Sequence, residues 1–185
     1  MTRSEQSPSV SVLRSFAGQA DRIILGFVPV AKLATLILLV TTIFDLVTRR
    51  FFVLGSTRLQ ELEWHMHVVI FTLCLGYSYV KNRHVRIDLF YSGFSPRMKH
   101  TIEILGILIL ALPYLGLLIY FGSQFFWQSY VIDEPSKAAL GIPHRWIIKF
   151  FLPLGLSLLV LAALSALARS ILGLINPQFT EEQKP

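Results

Sequence analysis

The sequence contains little charge. Charged residues make up 15% of its 185 residues, whereas an ordinary soluble domain carries about 25%. Apolar residues make up 54%, and the mean hydropathy is +0.59. The few charges cluster at the ends of long apolar runs, as a lipid bilayer requires. This composition excludes an ordinary soluble domain and predicts an integral membrane protein of one domain.

The sequence also has only one cysteine, Cys74, which lies inside an apolar run. It cannot form an internal disulfide and is expected to be a small buried hydrophobic residue. The formal net charge of +6 would suit a nucleic-acid-binding protein, but no basic stripe lies on a soluble helix. We attribute the basic excess to the cytoplasmic loops of a membrane protein and expect no nucleic-acid partner.

A basic segment in the middle of the chain predicts the orientation in the membrane. Five Lys and Arg residues occupy the nineteen residues from Lys81 to Lys99, between two apolar runs. Short cationic loops tend to stay in the cytoplasm. With both termini also inside, ten Lys and Arg residues fall on the cytoplasmic side and six on the other, which supports this orientation.

The apolar pattern predicts an all-α integral membrane protein with four transmembrane helices, at approximately 21–48, 64–80, 96–132 and 143–176. Residues 1–20 and 177–185 are expected to be cytoplasmic tails, the first of them flexible. Thr57 and Gln60 match a capping box, which predicts a short amphipathic helix at the outer surface before the second span. Ser95 and Pro96 predict the start of the third span, which must tilt, kink at Pro113 or project from the membrane.

Lys32 and Asp45 lie well inside the first predicted span. A charge at the centre of a bilayer costs about 2.5–3.5 kcal/mol. Thirteen residues separate the two, a distance of about 20 Å along a helix. We therefore expect each to lie near one membrane surface and to extend its charge to the interface, rather than to form an ion pathway.

The sequence contains no pattern that indicates catalysis or a cofactor. His65 and His67 point to different helix faces, which disfavours haem ligation. No Ser/His/Asp or Cys/His grouping has a plausible geometry, and no matched pair of broken helices indicates a substrate site. We expect a small membrane protein that serves a partner and is not an enzyme. A stand-alone structural or assembly protein and, less favoured, a haem b electron carrier remain alternatives.

Three motifs occur in a familiar order. They are Glu63-Trp64 at the start of helix two, His84-Val-Arg-Ile-Asp88 directly after that helix, and Gly141-Ile-Pro-His-Arg-Trp146 leading into helix four. In order, spacing and topology, they resemble the small membrane subunit of tripartite ATP-independent periplasmic (TRAP) transporters, the DctQ-like family. The resemblance covers about Val30–Arg169.

The resemblance implies a function and a set of partners. In TRAP transporters a periplasmic binding protein delivers an organic acid to a two-part membrane unit driven by a sodium gradient. The large, DctM-like subunit holds the substrate and sodium sites, and the small subunit packs against its scaffold part. The chain is thus expected in a bacterial inner membrane, with the large subunit, the binding protein and lipids as partners and with no cofactor of its own.

The resemblance also implies roles for particular residues. Arg86 and Asp88, with His84, would fix the inner turn between helices two and three; a solvated loop that serves only topology is the alternative. Two further groups would anchor the outer helix ends or contact the large subunit, unless they are only an interfacial belt: Glu61, Glu63 and Trp64 on helix two, and Arg145 and Trp146 on helix four. Many relatives carry two adjacent acidic residues at the start of helix two, whereas Leu62 separates Glu61 from Glu63 here.

Overall fold

The computed structural model of the chain describes residues 8–52, 55–81 and 94–175, and all regular structure within these residues is helical. The α-helices are α1 (Pro8–Gly26), α2 (Val28–Phe52), α3 (Thr57–Val80), α4 (Pro96–Leu105), α5 (Leu112–Val131) and α6 (Trp146–Ile175). A π-helical segment, Gly106–Ala111, connects α4 to α5. The all-helical prediction is confirmed.

The last helix, α6, lies at the centre of the bundle. It packs against α1, α3, α4 and α5, while α2 packs mainly against α3. The buried side of α6 carries small residues, among them Ala162, Ser165 and Ala166. Small side chains let helix backbones approach closely in a membrane. Ala162, Ala166 and Ser170, spaced four residues apart, are all buried and lie on one face of α6.

The backbones of α3 and α6 approach each other closely at two glycines. A Cβ atom added at Gly155 would lie 2.5 Å from the carbonyl oxygen of Thr72, and one at Gly76 would lie 3.0 Å from that of Leu158. No side chain fits at the first of these distances. The two glycines therefore set the spacing of α3 and α6.

Three helical stretches in the described part of the chain are long and apolar enough to cross a membrane: Pro8–Phe52, Pro96–Val131 and Trp146–Ile175. They identify a multi-pass membrane protein. Helix α3, which contains the second predicted span, is not among them, since its first half carries charged residues and two histidines. That α3 also crosses the membrane, which would give four crossings, therefore stays a prediction.

The N-terminal region differs from its prediction. Residues 8–20, which were expected in a flexible tail, belong to α1, and the helix continues after a one-residue break at Phe27 into α2. Val10, Ala17, Ala20 and Ile24 are buried against the bundle. Their spacing of three, four and seven residues places them on one helix face. The tail prediction was wrong here because the Ser- and Gln-rich composition obscured this short apolar stripe.

The region before the second predicted span also differs. Thr57–Val80 forms one continuous helix, so the described residues contain no separate interfacial helix there. Ser56, rather than Thr57, is the N-cap, and its side chain accepts a hydrogen bond from the amide of Leu59 at 3.4 Å. The amphipathic turns predicted at the surface are thus the first turns of α3 itself.

The third predicted span is nearly correct in its bounds. Ser95 caps α4 by accepting a hydrogen bond from the amide of Met98 at 3.3 Å, and Pro96 is the first helical residue. Before Pro113 the backbone widens into the π-helical segment. A proline ring clashes with the carbonyl four residues earlier in a regular α-helix, here that of Ile109, and a wider turn relieves such a clash.

Candidate functional site

Most polar contacts of the candidate residues lie at one end of the bundle, where α3 begins and the connection between α5 and α6, residues 132–145, folds over it. We call this the loop end. Two residues of the connection have positive φ, Asp133 at 43° and His144 at 59°. Both mark sharp turns, and α6 therefore begins at Trp146 instead of the expected Pro143.

Glu61 ties the connection to α3. Its carboxylate accepts hydrogen bonds from the hydroxyl of Ser136 and, at 2.6 Å, from the amide of Ile142. One turn earlier, Arg58 donates from Nε to the carbonyl of Leu140 at 3.2 Å. The hydrogen bonds from Ser136 and Ile142 lower the pKa of Glu61 below its ordinary value of 4.5, because they favour the charged form. Glu61 is thus an ionised anchor for the loop.

A second contact joins the two ends of the connection. The carboxylate of Asp133 accepts hydrogen bonds from His144 Nδ1 at 2.6 Å and from the indole N–H of Trp146 at 3.1 Å. The ring of Trp146 meets that of Tyr130 edge to face, with centroids 5.3 Å apart. Trp146 is therefore held on both its polar and its apolar side.

A third contact pairs the start of the connection with the first turn of α6. Lys149 forms an ion pair with Glu134, and its ammonium lies 3.8 Å from the ring centroid of Phe125. The amide of Arg145 donates to the carbonyl of Glu134 at 3.1 Å. The hydrogen bond from Lys149, aided by the charges of Lys149 and Arg145, lowers the pKa of Glu134. Glu134 thus pairs with a cation of the following helix.

The two other predicted residues of α3 face a different neighbour. Glu63 and Trp64 line a cleft between α2 and α3, not the connection that Glu61 binds. Trp64 is 73% exposed, while one oxygen of Glu63 is buried without a hydrogen-bond partner. The acidic pair separated by Leu62 is therefore divided between two surfaces.

The remaining candidates, His84, Arg86 and Asp88, lie outside the described residues. Their proposed role in the turn between the second and third predicted spans stays a prediction.

The opposite end of the bundle holds a polar contact that the sequence analysis missed. Asp21 of α1 accepts hydrogen bonds from Ser165 at 2.8 Å and from Arg169 at 2.6 Å, both on α6. Ser170, also on α6, donates to Glu103 of α4 at 3.1 Å. The sequence does not single out Asp21, because it lies at the edge of an apolar run, where charged residues are common.

Asp45 was also misinterpreted. It was expected to extend its charge to the interface, yet the residue is 6% exposed. Its carboxylate accepts a hydrogen bond from Arg49 Nε at 2.7 Å, one turn along the same helix. The spacing of four residues that permits this pair was visible in the sequence, but the burial arises from α3, which packs against α2.

At the loop end, acidic side chains hold parts of this chain together. Glu61, Asp133 and Glu134 each bind groups of this chain. Within residues 8–52, 55–81 and 94–175, no three His, Cys, Asp or Glu residues converge in a way that could hold a metal ion. What this end presents outward is a mixed surface of aromatic and charged side chains.

Comparison with known proteins adds one finding. The family model described as "Tripartite ATP-independent periplasmic transporters, DctQ component" matches residues 38–173, which span most of the chain and include the whole loop end. Searches of curated proteins and of solved structures found no match.

Proposed function

Because the chain belongs to the family of DctQ components of tripartite ATP-independent periplasmic transporters, we propose that it is the scaffolding small permease subunit of a sodium-coupled transporter for organic acids. It acts in a bacterial inner membrane. The large, DctM-like subunit carries the substrate and sodium sites, and a periplasmic binding protein delivers the substrate.

The observation that carries this proposal is the arrangement of polar contacts in the described residues. The contacts of Glu61 with Ile142, of Glu134 with Lys149 and of Asp21 with Ser165 and Arg169 lie at the two ends of the bundle, and each joins two parts of this chain. In a transporter that works alone, ionisable groups would face a path between the helices. A subunit whose polar groups hold its own helices together suits a supporting role.

Exposed apolar surface supports the same role. Helix α2 buries only Ala31, Ala34 and Asp45, and large apolar side chains such as Leu39, Ile43 and Leu46 are more than half exposed. Such surface must face lipid or another helix in a membrane. It leaves room on α2 for a large partner.

We further propose that α3 is the fourth crossing. Its 24 residues extend about 36 Å at 1.5 Å per residue, enough for a hydrocarbon core of about 30 Å. It packs along α2 and α6, both of which belong to stretches that can cross a membrane. The loop end then faces the periplasm, and both termini lie in the cytoplasm.

The candidate residues divide accordingly. Glu63, Trp64, Arg145 and Trp146 belong to the periplasmic side, where they are available to the large subunit or the binding protein. His84, Arg86 and Asp88 belong to the cytoplasmic turn between the second and third crossings. Replacing Arg86 and Asp88 by alanine is expected to lower the yield of the complex or the uptake of substrate; unchanged levels of both would discard that role.

The test of the function is purification of the tagged chain from its native membrane in mild detergent, with mass identification of what remains bound. We expect a much larger membrane protein, and uptake by the reconstituted complex that requires a sodium gradient. A stable homo-oligomer without that partner, or organic-acid uptake by this chain alone in liposomes, would contradict the proposal. A haem absorption band would identify an electron carrier instead.

A further inference from the structure

A cleft opens between α2 and α3 near the loop end, with a volume of about 830 Å³. From α2 it is lined by Asp45 and Arg49, and from α3 by Gln60, Glu63 and Trp64. Two carboxylates and one guanidinium thus face it. Their formal charges sum to one negative charge.

Asp45 is the unusual member of this lining. It is 6% exposed, and its oxygen Oδ2 binds Arg49. The other oxygen, Oδ1, is buried without a hydrogen-bond partner, as is Oε1 of Glu63. A buried carboxylate oxygen that lacks a donor is costly, and such oxygens call for a donor from elsewhere.

Arg49 and His67, two of the residues that line the cleft, already have partners in this chain. Arg49 gives its Nε to Asp45, and its Nη1 lies 2.8 Å from the amide oxygen of Gln60, once that amide is turned with its oxygen toward the guanidinium. His67, at the side of the cleft, has its Nδ1 2.9 Å from the carbonyl of Glu63. No described group donates a hydrogen bond to Oδ1 of Asp45 or to Oε1 of Glu63.

We propose that the cleft receives a cationic side chain, an arginine or a lysine, from a helix of the large membrane subunit. This inference rests on the proposed function, since it names the group by which that partner is held. A guanidinium or ammonium carries several N–H donors and one positive charge, and so satisfies both carboxylates and neutralises the cleft. Trp64, 73% exposed at the same cleft, offers an aromatic face for the cation.

Two other occupants fit the cleft less well. A bare metal ion needs more ligands than the described residues bring together, since no three His, Cys, Asp or Glu residues converge. A zwitterionic lipid headgroup would bring a phosphate together with its ammonium. That phosphate would bring a further negative charge to a cleft that already holds the carboxylates of Asp45 and Glu63.

The first experiment measures how much large subunit the tagged chain retains when the two are co-expressed and purified. We expect Asp45→Asn and Glu63→Gln to reduce the retained amount severalfold each, and the double variant to reduce it roughly tenfold or more, as for buried charge pairs at interfaces. The control is Glu103→Gln, which removes the same charge at the opposite end and is expected to leave retention unchanged. Thermal unfolding of each variant without the partner separates lost binding from lost folding.

The second experiment identifies the occupant without disturbing the carboxylates. A photoreactive benzoylphenylalanine replaces Trp64, and the adduct formed on irradiation of the membrane is identified by mass spectrometry. We expect a peptide of the large subunit with an arginine or lysine within one helical turn of the attachment. Exchanging that residue and Glu63 for each other is expected to restore retention lost in either single variant.

The outcomes separate the two proposals. If the unmodified chain retains no large subunit, the proposed function fails and the cleft inference fails with it. If the unmodified chain retains the large subunit but Asp45→Asn and Glu63→Gln do so equally well, only the cleft inference fails. A phospholipid adduct at position 64, or no adduct to the large subunit, likewise overturns the cleft inference alone.

Discussion

At the scale of single residues, the candidate acids differ in whether their partners lie within the chain. Glu61 binds Ser136 and Ile142, whereas Glu63, two residues later, leaves a buried oxygen without a partner. The sequence predicts that both matter but not this difference, because the two residues are alike in type and near in position. The position of the α5–α6 connection over α3 determines that the connection covers Glu61 and not Glu63.

Replacing Glu61 by glutamine is therefore expected to loosen the connection. The charged acceptor for Ser136 and for the amide of Ile142 is lost, with a decrease of about 1 kcal/mol in the free energy of unfolding. Hydrogen exchange of the Ile142 amide in detergent measures the effect directly. Glu63→Gln is the matched control, and equal exchange in both variants would contradict the assignment.

The same contact predicts a dependence on pH. Since folding lowers the pKa of Glu61 below 4.5, its contribution to stability is complete above that value and is lost as the pH falls through the lowered pKa. Protection of the Ile142 amide should decline in that acidic range. In Glu61→Gln this decline should be smaller; a profile identical to that of the unmodified chain would exclude Glu61 as its source.

Gly155 provides a test of packing at the same scale. A methyl group there would lie 2.5 Å from the carbonyl oxygen of Thr72, so Gly155→Ala must separate α3 from α6. We expect a loss of about 1–3 kcal/mol, as for other overpacked sites, visible as a lower midpoint of thermal unfolding in detergent. Gly116→Ala in α5 is the control, because an added Cβ there meets nothing within 4 Å. Equal midpoints would contradict the close approach.

At the scale of elements, a polar contact helps to hold α1 against the bundle. Asp21 joins it to α6 through Ser165 and Arg169, and the side chains of Asp21 and Arg169 remain 21% and 26% exposed. Its apolar stripe was readable from the sequence once a helix was assumed. Its partner was not, since residues 21 and 169 are far apart in the chain and only the packing of α1 on α6 brings them together.

Asp21→Asn is accordingly expected to release α1 from the bundle. The loss should be about 1–2 kcal/mol, between the values of exposed and buried ion pairs, and it should raise hydrogen exchange across Pro8–Gly26. The exchange of charges in Asp21→Arg with Arg169→Asp should restore part of the protection. Arg22→Gln, which changes an exposed neighbour, should have no effect; a similar effect there would argue against the Asp21 contact.

At the scale of the whole molecule, local signals predicted the helices and long-range contacts determined the site. Ser95 and Pro96 started α4 as expected, and Ala162 and Ala166 lie on the buried face of α6, because caps and small-residue spacing act over one or two turns. The burial of Asp45 and the bond from Ile142 to Glu61 depend on which helices become neighbours. That order is a property of the assembled bundle, and no local pattern contains it.

The path of the chain through the membrane follows from that order and can be tested with three cysteines. The contacts from Arg58 to Leu140 and from Glu61 to Ile142 bring the start of α3 and the α5–α6 connection to one end. If α3 crosses the membrane, Ser95 lies on the other side. In a Cys74→Ser background, we expect an impermeant maleimide added outside intact spheroplasts to label Gly55→Cys and Lys137→Cys but not Ser95→Cys. Labelling of positions 55 and 95 from the same side would mean that α3 does not cross the membrane. Labelling of position 95 alone would agree with the crossing but would invert the orientation inferred from the basic segment.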